Sequence, residues 1–99
     1  MSCERCRGIS TRRIGFPAEL TEAIRYCKEL FASGAFRMSS YWPERTPRLT
    51  ATDWTELSET GPWEDILQYY FECPSCGQIF LLHADTYHGA GSLERCRLS

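Results

Sequence analysis

No stretch of this 99-residue chain approaches the ~18 consecutive apolar residues that a bilayer-spanning helix needs. The N-terminal MSCERCRG also lacks the apolar run of a secretory signal. The protein is therefore expected in the cytoplasm, with no membrane partner. There thiols stay reduced, and paired Cys-x-x-Cys motifs are expected to hold metal rather than to form disulfides. No low-complexity linker divides the sequence, and no repeat is found beyond two cysteine pairs. Ninety-nine residues leave little room for a second core, so one domain over 1–99 is expected. Walker, paired-carboxylate and zinc-hydrolase patterns are missing as well, and no enzymatic activity is expected.

What is present points to a folded α+β chain. Hydrophobic residues make up 42% and aromatics 13%, well above disordered composition. Pro17 suits the first turn of a helix. Leu20, Ala23, Ile24, Cys27, Leu30 and Phe31 then recur at helical spacing, and Gly34 suits the position just past the helix end. A helix over about 17–33 is expected to dock on a sheet, with Cys27 as a small core side chain rather than a fifth ligand or a redox thiol. Residues 35–42 alternate as a half-buried strand does, and Pro43 and Pro47 mark a loop over 43–48. Residues 50–60 fit a short helix capped by Thr50 or Thr52, or equally an irregular acidic loop. The apolar runs within 63–72 and 78–84 read as strands covered on both faces and joined as an antiparallel hairpin. Residues 90–99 carry no pattern apart from Cys96. The expected fold is a small antiparallel sheet packed on one main N-terminal helix, with a zinc-ribbon-like pair of cysteine knuckles.

Cys73-Pro74-Ser75-Cys76-Gly77 has the full form of a metal-binding turn, because glycine after the second cysteine lets the backbone turn close to the ion. Cys3-Glu4-Arg5-Cys6-Arg7-Gly8 repeats the spacing, with its glycine one place later. Structural zinc takes four ligands in a tetrahedron and favours thiolates, so Cys3, Cys6, Cys73 and Cys76 are the expected set. A site with Cys96, His83 or His88 replacing one N-terminal thiolate remains open, since 66 residues separate Cys6 from Cys73. A thioredoxin-like redox pair would need its cysteines at the start of a helix. Here an apolar, strand-like run follows.

The net charge of −2 hides an asymmetry. Residues 1–13 carry Arg5, Arg7, Arg12 and Arg13 against Glu4, a balance of +3. Residues 51–72 hold Asp53, Glu56, Glu59, Glu64, Asp65 and Glu72 with no lysine or arginine, a balance of −6. Such a field repels nucleic acid and suits a basic protein partner, although a solvated acidic face would look the same. Trp54 and Trp63 sit inside this segment and suit either a binding hot spot or anchors for a loop. His83 shares a strand face with Ile79 and Leu81 and is expected to be buried and hydrogen-bonded. Tyr87 and His88 lie in a polar, glycine-bearing loop of the kind that carries binding residues. Asp85 and His88 could pair, but no nucleophile stands beside them in sequence.

Asp53-Trp54, Leu57, Gly61-Pro62-Trp63, Tyr70-Phe71, Phe80-x-Leu82 and Tyr87-His88-Gly89-x-Gly91 together resemble small bacterial immunity proteins of polymorphic-toxin (contact-dependent inhibition type) systems. The resemblance spans roughly residues 53–92, under half the chain. The two cysteine pairs depart from that pattern, as does Ala90, where a third glycine would be expected. The resemblance implies a cytoplasmic, non-catalytic protein that neutralises a cognate toxin. Nuclease toxins are commonly basic where they hold nucleic acid, which suits the acidic segment. The expected partner surface is then Asp53, Trp54, Glu56, Glu59, Trp63, Glu64, Asp65, Tyr87 and His88. The competing class is a zinc-ribbon nucleic-acid-binding or transcription accessory module, resting on the cysteines and the N-terminal arginines. A pI near 5.6 argues against it.

Overall fold

A computed structural model of the chain describes residue 9 and residues 11–15, 18–39 and 50–96. The elements run β1 (Arg12–Ile14), α1 (Ala18–Ala32), β2 (Arg37–Met38), a 3-10 turn (Trp54–Glu56), β3 (Ile66–Glu72), β4 (Ile79–Asp85) and β5 (Ala90–Cys96). The strands form one sheet in the order β1-β5-β4-β3-β2, with every neighbouring pair antiparallel. One helix and one small antiparallel sheet make the expected α+β architecture. Cys3, Cys6, Pro17 and the proline loop over 43–48 lie outside the described residues.

Helix α1 forms where the apolar stripe places it. Leu20, Ala23, Ile24 and Cys27 are fully buried, and Leu30 and Phe31 pack partly buried against the same core. Its end is a Schellman motif. Gly34 adopts φ +84°, its N–H donates to the Phe31 carbonyl (3.2 Å), and the Ala35 N–H donates to the Leu30 carbonyl (2.9 Å). Two carbonyls that the last turn would otherwise leave open are thereby satisfied.

Side chains alternate along a strand, so the pairing register fixes which residues share a face. Leu67, Tyr69 and Phe71 of β3 stand opposite Ala84, Leu82 and Phe80 of β4, and Leu93 of β5 stands opposite Leu82. These residues join the α1 stripe in one core. Phe36 completes it, with its ring stacked on Phe71 at 5.0 Å and tilted against Phe80 at 5.0 Å. On the opposite face Tyr70 and Ile79 are buried, while Leu81 and His83 are half-buried. The expectation of two covered faces thus holds only toward the cysteine end of the sheet.

Three expectations are corrected. The segment over 90–96, which carries no strand pattern, is β5, held between β4 and β1. Gly91 permits this close pairing, because a Cβ there would meet the His83 carbonyl oxygen at 2.4 Å. The alternating stretch from Ala35 yields only the two-residue β2 among the described residues, and Met38 is 43% exposed at this sheet edge. Asp53, rather than Thr50 or Thr52, occupies the N-terminal cap of the 3-10 turn, and its side chain makes no capping hydrogen bond.

Candidate functional site

The two ends of the sheet carry different chemistry. At one end, Cys73 to Gly77 turns the chain from β3 into β4. The Gly77 N–H donates to the Cys73 carbonyl (2.8 Å) and the Cys73 N–H to the Gln78 carbonyl (2.9 Å), with Gly77 at φ +77°. Cys73 is buried in the core and Cys76 is exposed. This is a closed turn with its first thiol in the core and its second at the surface. The backbone of Cys96 also reaches this end, opposite Ile79, and its carbonyl accepts from Gln78 Nε2 (2.9 Å). Burial, with the Glu94 carboxylate, raises the Cys96 thiol pKa. Arg95 Nη2 donates to the Ile9 carbonyl (3.3 Å), which brings the start of the described chain to the same end.

Two of the alternative ligands are displaced. His83 sits mid-strand opposite Gln68 and Ser92, on the face away from the core. It is half-buried rather than buried. His88 lies beyond the far end of β4, a seven-residue strand and so about 23 Å long. Neither can share an ion with Cys73 and Cys76. Among the described residues no group of three or more His, Cys, Asp or Glu gathers as a metal site. Cys3 and Cys6 fall outside those residues.

The acidic segment divides in two. Glu64 turns its carboxylate onto backbone, accepting from the Ala51 N–H (2.9 Å) and the Thr52 N–H (2.7 Å). Hydrogen bonding from the Thr52 side chain, then from these two N–H groups, holds its pKa below the usual carboxylate value. Glu59 meets Arg25 of α1 at 3.4 Å, and Glu72 accepts from Arg37 Nε at 2.6 Å. Asp53, Glu56 and Asp65 remain exposed, with no side-chain hydrogen bond or ion pair to any described residue. Sequence reasoning missed the cations that compensate the segment. Arg25 lies off the apolar stripe, on the polar side of α1, and that position was the available signal.

Trp54 leaves the expected partner surface. It is 3% exposed and packs edge-on against Tyr69 (5.2 Å) and Phe71 (4.7 Å). Lys28 lies 4.8 Å over its ring and donates to its carbonyl (3.1 Å). Trp54 is thus the loop anchor of the two roles open to it. Trp63 is half-buried against the core, and its indole N–H donates to the Ser58 carbonyl (2.8 Å), closing the loop that begins there.

At the other end, residues 86–89 turn β4 into β5. Asp85 organises this turn: Oδ1 accepts from the His88 N–H (3.1 Å), Oδ2 meets His88 Nδ1 (2.6 Å), and its carbonyl accepts from the Gly89 N–H (2.9 Å). These bonds to His88 hold the Asp85 pKa down. Thr86 ties the tip to β3, donating from N to the Asp65 carbonyl (2.8 Å) and from Oγ1 to the Glu64 carbonyl (2.7 Å). Tyr87 is 78% exposed, its ring edge-on to His88 at 5.0 Å. Tyr87, His88 and Asp65 are therefore neighbours in space, at the end opposite the cysteine turn.

Comparisons with protein-family models, with curated proteins and with solved structures yield no match. No helix among the described residues is long and apolar enough to cross a membrane.

Proposed function

We propose that the chain is a non-catalytic immunity protein of the cytoplasm that binds and neutralises a cognate, basic toxin domain, with zinc as a structural brace. One observation carries this reading: Asp53, Glu56 and Asp65 present carboxylates to solvent without partners among the described residues, on a segment that Trp54, Glu64 and Trp63 hold in place. A fixed acidic surface loses little freedom on binding, and its charge speeds encounter with a basic partner. Tyr87 and His88 extend the same surface at the hairpin tip. The motif resemblance to toxin-immunity proteins points the same way, on the residues that carry it.

The zinc brace would use Cys3, Cys6, Cys73 and Cys76. Ile9, held by Arg95, is three residues from Cys6, about 10 Å at full extension. Ile9 thus marks where the described chain begins, at the end of the sheet that bears the Cys73 turn. Four thiolates leave no open position for substrate, so the metal would stabilise rather than catalyse.

The purified chain should bind its toxin domain with an association rate that falls steeply as salt rises. Reversing Asp53, Glu56 and Asp65 together to lysine should slow association by at least tenfold. Salt-sensitive binding to DNA or RNA in place of the toxin would overturn the reading in favour of a nucleic-acid module.

A further inference from the structure

Among the described residues strand β2 has two residues, which pair with Phe71 and Glu72 at the β3 edge. The Ser39 N–H donates to the Tyr70 carbonyl (3.1 Å). Further along, the Thr50 hydroxyl stands in for a strand, donating to the Ile66 carbonyl (2.8 Å) and accepting the Gln68 N–H (2.9 Å). Between these contacts and the 3-10 turn lies a cavity of about 170 Å³. That is well below the roughly 300–1,000 Å³ of small-molecule sites and suits a single long side chain.

Its walls are amphipathic. Met38, Trp54, Tyr69 and Tyr70 supply apolar surface, and Asp53 and Gln68 supply polar groups. The Tyr69 hydroxyl is turned inward, donating to the Thr52 carbonyl (2.6 Å). Gln68 Nε2 donates to the Tyr70 hydroxyl (3.2 Å), which leaves Gln68 Oε1 as an acceptor. The Asp53 side chain makes no capping bond and has no partner among the described residues. Lys28 already occupies the Trp54 ring at 4.8 Å, so a guest cation is directed to Asp53 rather than to that ring. The cavity thus offers a slot with mixed polar and apolar walls, in which Asp53 is an anionic and Gln68 a neutral acceptor.

We propose that this cavity receives an arginine side chain from the partner, its stem against Met38 and the aromatic walls and its guanidinium donating to Asp53 and Gln68. The identity of the occupant rests on the reading of the chain as a binder of a basic protein. The planar guanidinium carries five donors in a fixed fork and can serve two acceptors at once, which a lysine ammonium matches less well. The aliphatic stem of arginine covers apolar surface while its head stays polar.

The test is an NMR titration of the full chain with N-acetyl-argininamide, with no toxin present. Saturable shifts at Gln68, Tyr69 and Tyr70 are expected, weakened about tenfold in Asp53→Asn. N-acetyl-lysinamide should bind several-fold more weakly. Asp53 is exposed and its side chain makes no bond to a described residue, so Asp53→Asn should keep the native spectrum elsewhere. No saturable shift, an unchanged affinity in Asp53→Asn, or equal binding of lysinamide would each overturn the assignment. Failure here leaves toxin binding standing, and failure of toxin binding leaves the titration standing.

Discussion

At the scale of single residues, Trp54 and Glu64 do structural work inside a segment whose composition suggests a binding surface. Trp54→Ala removes a ring packed on both Tyr69 and Phe71, and should cost about 3–5 kcal/mol in urea unfolding. Glu64→Gln leaves the Ala51 and Thr52 N–H groups with a weaker acceptor. The folded-state pKa of Glu64 is depressed, so its contribution is present above the ordinary carboxylate pKa and is lost as pH falls through the folded value. Melting temperatures of the wild type and Glu64→Gln should therefore differ at pH 7 and converge in acid. A constant gap down to pH 3 would contradict that role. Neither assignment was legible in the sequence. A tryptophan among carboxylates reads the same whether it anchors a loop or faces a partner, and the contacts that decide lie on α1 and β3. Cys27 was legible, because it falls within a helical stripe. Burial raises its thiol pKa to about 12, so it should resist alkylation in the native protein at pH 8.

At the scale of elements, helix α1 followed from its ~3.6-residue stripe and the β3–β4 hairpin from two apolar runs on either side of the cysteine turn. Strand β5 did not. Leu93 is its only fully buried side chain, and its place comes from pairing with neighbours on both sides. Gly91 carries that placement. Gly91→Val would drive a Cβ to 2.4 Å from the His83 carbonyl oxygen and 2.9 Å from the Ala84 Cα. The backbone must shift, at a cost of about 1–3 kcal/mol. Hydrogen exchange should show protection falling first along β5 and β1, with α1 spared. Uniform loss across the whole domain, or no change, would contradict this account of the sheet. The cavity beside β2 was equally illegible, since its lining comes from residues 38–39, 50, 52–54 and 68–70, far apart in sequence.

At the scale of the whole molecule, the sheet separates a thiol-bearing end from an end with an exposed hairpin tip, and the acidic segment runs from that tip along the β3 edge. If zinc braces the first end, metal analysis should find one ion per chain and chelation should lower the melting temperature. Apparent zinc binding energies of about 10–16 kcal/mol are comparable with the whole stability of a small domain, so the loss should be large. Cys73→Ser should abolish metal binding, whereas Cys27→Ala should leave the stoichiometry unchanged. A metal-free protein of unaltered stability would refute the brace. The proposed toxin neutralisation would use the second end and the acidic face, and co-expression tests it most directly. If a toxin domain is encoded beside this gene, cells producing it should grow when they also produce the chain. Protection should be lost when Asp53, Glu56 and Asp65 are reversed to lysine in a variant that still folds. Full protection by that variant, or none by the wild type, would contradict the account.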